Sequence, residues 1–287
     1  MNSKEKFLND LFRSTLGNED LVFISSIFIE LHTALKDEDT TANKLASIIE
    51  KDPGLTTAML RMANSSYYGL SKKVANIRTA ISILGYKTIE KIFLTQACSK
   101  AFKTSNSKIT HKLWHHSLAT AIATQLIVSE KRPQLEEVAF TIGLLHDMGK
   151  FLLINFRAEE MVMCLDDIKI NPFQYSVPLE MNIIGVNHQD IGEYFAKKWL
   201  FPDIIVNSIK YHHSLEITEN ADEMVAAVAI ANQIVKALEL GTSTSGLIEA
   251  IPNRIYSLID FTQQDFEKFA RLTKQKFYEF ISNTEEE

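Results

Sequence analysis

The sequence predicts an all-α protein folded as two helical lobes. Apolar residues recur at helical spacing along almost the whole chain, and no stretch shows the alternation of a half-buried strand. In 287 residues there are only 10 glycines and 6 prolines, too little turn material to separate many short strands. Hydrophobic residues make up 46% and charged residues 23%, the balance of a globular protein with ample chain for a buried core.

The elements follow in order. Residues 21–35 carry apolar side chains at 24, 27, 28, 31 and 35, one face of a helix. Thr41 is placed to cap a helix from Ala42 to Lys51, with Leu45, Ile48 and Ile49 inward. Asp52 and Pro53 restart the chain as a cap and a first helical residue whose missing N–H costs nothing. That helix runs through AMLRMANSS and stops near Tyr67, Tyr68 and Gly69. Ile77 to Leu84 ends at Gly85, a left-handed C-terminal residue, and another helix takes 87–102. The polar stretch KTSNSKIT, 103–110, is the linker between a lobe of 1–104 and a lobe of 105–287. In the second lobe helices are expected at 111–130, 134–148, 157–168, 176–185, 188–199 and 202–213. Two more run from 221 to 239, closing at Gly241, and from a Thr262 cap to Ile281. The GTSTSG stretch at 241–246 is a loop, and Trp114, Trp199 and Pro202 read as packing residues and a helix start.

Charge and cysteine usage exclude several classes. The formal charge of −6 opposes the basic face that nucleic-acid binding needs. Cys98 and Cys164 form no CxxC pair, so neither a disulfide framework nor a thiolate zinc knuckle is indicated. MNSKEKFLNDLFRS has no signal-peptide core, and MVAAVAIANQIVKAL, 224–238, is too short to span a bilayer. A cytoplasmic protein is the expectation, with neither membrane nor nucleic acid as partner.

Of 8 histidines, His32 and His111 look incidental. The other six fall at His115-His116, His146-Asp147, His188 and His212-His213, each on or at the end of a separate helix. Bundle metal sites are built this way, and imidazole with carboxylate suits iron, manganese, nickel or zinc. The plainer alternative makes each a hydrogen-bonded core or surface histidine. Neighbours such as 115 and 116 diverge by about 100° on a helix, so they do not both face one point. Spacing alone leaves both readings open, as it does the inward facing of both His212 and His213. Glu180 is assigned to a helix surface, with an extra carboxylate at the site as the alternative. Asn64-Ser65 is read as a helix terminator, with a recognition surface including Tyr67 and Tyr68 as the alternative.

Longer motifs narrow the choice. IIEKDPGLTTAMLRMANSSYYG (48–69), NIRTAISILGYKTIEKI (76–92), LWHHSLATA (113–121), GLLHDMGK (143–150) and NHQDIGEYFAKKWLFPDIIVNSIKYHH (187–213) stand in one order. Together they resemble the HD-related output domain, HDOD, over about 20–215. That family is similar in its second lobe to the HD metal-dependent phosphohydrolases, including the HD-GYP cyclic-di-GMP phosphodiesterases. The resemblance implies a second lobe like an HD domain and a metal set of His116, His146, Asp147, His188, His212 and His213. It also implies a phosphate-neutralising role for Lys150, which matches the lysine of HDxGK. The last HD ligand, an aspartate, is replaced here by Asn232, a neutral amide and a poor bridge between two metals. After His213 the chain reads SLEITEN, without the DGxGYP segment, which disfavours cyclic-di-GMP as substrate.

Three functions follow from the resemblance. One is a non-catalytic module of bacterial signal transduction with a degenerate metal or ligand site, recognising a signalling protein. Another is a metal-dependent phosphohydrolase acting on a phosphoester or nucleotide. The last is a sensor of a small nucleotide-like ligand held between the lobes.

Overall fold

The computed structural model describes residues 3–15, 30–31, 33–34, 37, 39–50, 53–64, 73–86, 88–89, 92, 107–171, 174–199, 201–213, 222–241 and 248–284. Every regular element among them is helical. The chain divides into two compact units, one of residues 1–14 and 102–277, the other of 15–101 and 278–287. The first helix, α1 (Ser3–Thr15), to which the sequence reading assigned no element, therefore groups with residues far along the chain.

The smaller unit holds α2 (Ala42–Ile49), α3 (Pro53–Ala63) and α4 (Ile77–Leu84), with α4 packed on both others. Thr41 caps α2, its hydroxyl accepting the Lys44 N–H at 3.2 Å, and Leu45, Ile48 and Ile49 are buried as expected. α3 starts at Pro53 but ends at Ala63, short of the expected 67–69. The cause is Asn64. Its amide nitrogen donates to the Leu60 and Val74 carbonyls, each at 2.8 Å, and its oxygen accepts the Val74 N–H at 2.7 Å. The side chain thus ends one helix and pins the approach to the next, the structural role expected of it. Asn76 caps α4, and Gly85 closes it with a φ of 73°. The expected helices at 21–35 and 87–102, Tyr67-Tyr68, most of the 103–110 linker, the 241–246 loop and SLEITEN lie wholly or largely outside the described residues.

The larger unit continues with α5 (Ser107–Lys131), α6 (Glu136–Leu145), α7 (Met148–Phe156), α8 (Ala158–Ile170) and α9 (Ser176–Ile183). It ends with α10 (His188–Lys198), α11 (Asp203–Tyr211), α12 (Glu223–Ala237), the unforeseen short α13 (Asn253–Leu258) and α14 (Gln263–Thr284). At its centre is α12, buried at every residue from Met224 to Val235 and packed on α5, α6, α11 and α13. A helix apolar on all sides must be surrounded by others. Among the described residues, no helix is long and apolar enough to cross a membrane.

Two close approaches set the frame for the histidines. α5 and α6 meet at Gly143, where an added Cβ would lie 2.7 Å from the Ala121 Cα. α7 and α10 meet at Gly149, where it would lie 1.9 Å from the His188 carbonyl oxygen. α1 packs nearby: Leu8 and Leu11 are buried, Lys4 pairs with Asp190 at 2.7 Å, and Phe12 stands edge-on to Phe195 at 5.3 Å.

The single helix expected over 134–148 is corrected by the structure. A 3₁₀ turn takes Pro133–Leu135, α6 stops at Leu145, and α7 begins at Met148. His146 and Asp147 form the corner between them. Neighbours in a regular helix point about 100° apart. The corner frees these two to face the same place.

Candidate metal centre

Five helix ends and faces deliver the side chains. His116 comes from the middle of α5, His146 and Asp147 from the α6–α7 corner, and His188 from the first position of α10. His212 and His213 follow the end of α11, His212 as its cap residue with backbone angles still helical. Both join one ligand-type group, so both face the same place. Of the pair on α5, only His116 turns inward; His115 packs against His111 and Phe277 instead. Gly241 (φ 78°) lies against the α5 backbone here, where a Cβ would meet the His116 nitrogen at 2.4 Å.

Asp147 is the hub. Its Oδ2 lies 3.3 Å from His146 Nε2 and 3.7 Å from His116 Nε2, and its Oδ1 lies 3.4 Å from Nε2 of both His188 and His212. Lys150 donates to Oδ2 at 2.7 Å. All these side chains are at most 1% exposed. Lys150 is thus seated on a carboxylate inside the protein. Burial opposes ionisation of Asp147, yet His146 and Lys150 outweigh it and hold the carboxyl well below its usual range. Burial holds His116, His188 and His213 well below the usual imidazole range, and His212 below it, so these rings are neutral and carry lone pairs.

The far side of each ring fixes which nitrogen carries the lone pair. His146 Nδ1 is 2.7 Å from the Gly143 carbonyl, and His212 Nδ1 is 2.9 Å from the Ile209 carbonyl. Carbonyls only accept, so Nδ1 holds a proton in both rings, and in the neutral His212 the lone pair is left on Nε2. Glu180 Oε2 accepts from the His188 backbone N–H at 2.8 Å and Nδ1 at 2.7 Å. Glu249 Oε2 lies 2.7 Å from His213 Nδ1. Glu180 corrects the surface assignment: it is 1% exposed, and burial pushes its carboxyl up to about 8. Lys236 joins Glu249 at 2.7 Å, and Gln233 accepts the Glu249 N–H, so the second anchor is itself held. Partners of this kind orient metal-binding histidines and raise their basicity.

These residues fit a metal. Nε2 of His116, His146, His188, His212 and His213, Oδ1 of Asp147 and both amide atoms of Asn232 are buried without a hydrogen-bond partner. Each such atom costs about 1–3 kcal/mol unless something binds it. Two groups have ligand atoms within 4.8 Å of one another: Asp147, His188, His212 and His213, and His116, His146 and Asp147. Imidazoles with one carboxylate suit iron, manganese, nickel or zinc better than the all-oxygen cages of calcium or magnesium. Asn232 is fully buried on α12 with both amide atoms unpaired.

A family model described as the HDOD domain matches residues 21–215. The chain belongs to the HDOD domain family. Among solved structures, an HDOD domain protein of unknown function from Geobacter sulfurreducens is 24% identical with a TM-score of 0.72, over 91% of each chain. A protein named a candidate phosphohydrolase from Shewanella amazonensis SB2B is 21% identical with a TM-score of 0.69, over 90% of this HDOD chain and 93% of that one. One named a candidate signal transduction protein from Marinobacter aquaeolei VT8 is 17% identical with a TM-score of 0.72, over 90% and 57%. At these identities the likeness is one of fold. An uncharacterized protein of Treponema pallidum (strain Nichols) is 24% identical over 262 residues, 90% of this HDOD chain and 49% of that protein. The HDOD chain therefore spans about half the length of that curated relative.

Proposed function

We propose that this chain is a module of bacterial signal transduction that binds a divalent metal ion at the Asp147 cluster and catalyses no hydrolysis. The observation behind this reading is an interior of unpartnered imidazole Nε2 atoms around one carboxylate, with converging groups at most 1% exposed. Such a set matches a bare ion. A phosphoester would also need a route to the metal and anionic support for a second ion, and Asn232 supplies no charge where an HD enzyme has an aspartate. His116, His146, Asp147, His188, His212 and His213 are the residues that would hold metal. Bound metal would supply Lewis acidity. Glu180 and Glu249 keep Nε2 of His188 and His213 aimed inward, and the metal state is communicated to a signalling protein through the helices that carry these ligands.

The phosphohydrolase reading is favoured by one thing, the retention of nearly every ligand-type side chain. The experiment that separates them uses untagged protein purified without chelators. Metal content by inductively coupled plasma mass spectrometry is expected to show bound iron, manganese, nickel or zinc. The same loaded protein is expected to leave bis(p-nitrophenyl) phosphate uncleaved above the level of Asp147→Asn. Metal-dependent turnover lost in Asp147→Asn would establish the enzyme instead, and a chain that takes up no ion would end the metal-binding reading.

A further inference from the structure

The two oxygens of Asp147 divide the cluster into unequal halves. On the Oδ1 side stand His188 and His212, both at 3.4 Å, with His213 in the same group. On the Oδ2 side stand His146 at 3.3 Å and His116 at 3.7 Å, together with the Lys150 ammonium at 2.7 Å. One half therefore already contains a cation.

That ammonium is fixed by the fold. Lys150 lies three residues after Asp147 in the first turn of α7, its N–H closing on the Asp147 carbonyl at 2.9 Å, and its side chain is fully buried. Buried charges are little screened by salt or solvent. A divalent ion bound by His116, His146 and Oδ2 would share its only anionic ligand with an ammonium. On the Oδ1 side an ion meets three neutral imidazoles and an oxygen that no hydrogen bond occupies.

We infer that Lys150 is a built-in substitute for a second metal ion, and that the centre takes a single divalent ion, on the Oδ1 side with His188, His212 and His213. This rests on the metal-binding reading above. Lys150 then acts as a positioning and stoichiometry-setting residue, its ammonium balancing half of Asp147 while the metal uses the other half.

The test is metal stoichiometry on the full chain, loaded with excess Mn²⁺ or Zn²⁺ and freed of unbound ion by gel filtration. The wild type is expected to retain one ion per chain, and Lys150→Met two. Loaded with Mn²⁺, the wild type is expected to give the six-line paramagnetic resonance spectrum of an isolated ion, and Lys150→Met that of a spin-coupled pair. Lys150→Gln serves where circular dichroism shows the Met variant unfolded. Two ions in the wild type, or one in both proteins, would overturn the role of Lys150 and leave metal binding standing. Retention of the single ion by a folded His188→Ala/His212→Ala variant would overturn its placement. No ion in any of the proteins would defeat the metal-binding reading, and this inference with it.

Discussion

Gly149 sits where α7 crosses α10, one residue before Lys150 and two after Asp147. An added methyl group would overlap the His188 carbonyl oxygen, so Gly149→Ala must push apart the two helices that carry Asp147 and His188. Overpacking of this kind costs about 1–3 kcal/mol. The expected outcome is a lower urea midpoint together with weakened metal uptake, read by denaturation and by a chromogenic chelator. Glu180→Ala acts differently. It strips both hydrogen bonds from His188 without crowding any helix, so metal affinity is expected to fall about 10–100-fold; an unchanged affinity would show that α10 alone orients the ring. At this scale the His146-Asp147 pair and the other ligand-type residues were legible as a family pattern. Glu180 was not. Its helix carries Ser176, Leu179 and Glu180 on the buried side, and no apolar stripe marks a carboxylate as interior.

Helices with a polar face were read closely from sequence, as α2 behind its Thr41 cap and the start of α10 at His188 show. The break at 146–147 left no such trace. Residues 139–145 and 148–154 are buried on every side, so the apolar run continues across the corner and periodicity has nothing to report. The start of α14 shows how much one cap does. Thr262 donates its N–H and hydroxyl to Asp265 Oδ2, each at 2.8 Å, Asp265 returns its N–H to the hydroxyl at 3.3 Å, and Lys131 joins the carboxylate at 2.7 Å. Burial raises the Asp265 carboxyl, but Lys131 and Thr262 outweigh it and hold it below its ordinary 3.8. The unfolded chain therefore takes up this proton first, so the stabilisation is complete above about pH 4 and is lost as pH falls through the folded value. Asp265→Asn is expected to cost about 1 kcal/mol at pH 7. The gap from wild type should narrow at pH 3, measured by urea unfolding at both pH values; a gap independent of pH would assign the loss to the cap alone.

Across the whole molecule, the all-α class and the family were legible, whereas the membership of α1 was not, because its apolar residues meet partners far along the chain. Deleting residues 1–15 removes two buried leucines and uncovers Phe195. A loss of about 3 kcal/mol corresponds to a melting temperature about 10 °C lower. Differential scanning calorimetry measures this, and an unchanged transition would show α1 to be dispensable. The hydrogen bond from the Tyr194 hydroxyl to Asn9 joins residues 185 positions apart. On the ribosome, α1 is made first and its binding surface on α10 only after the intervening chain has emerged. At about 5–20 residues per second that interval is about 10–40 s. Through this interval Phe12 has neither Tyr194 nor Phe195 to pack on, so the contacts between α1 and α10 close late in synthesis.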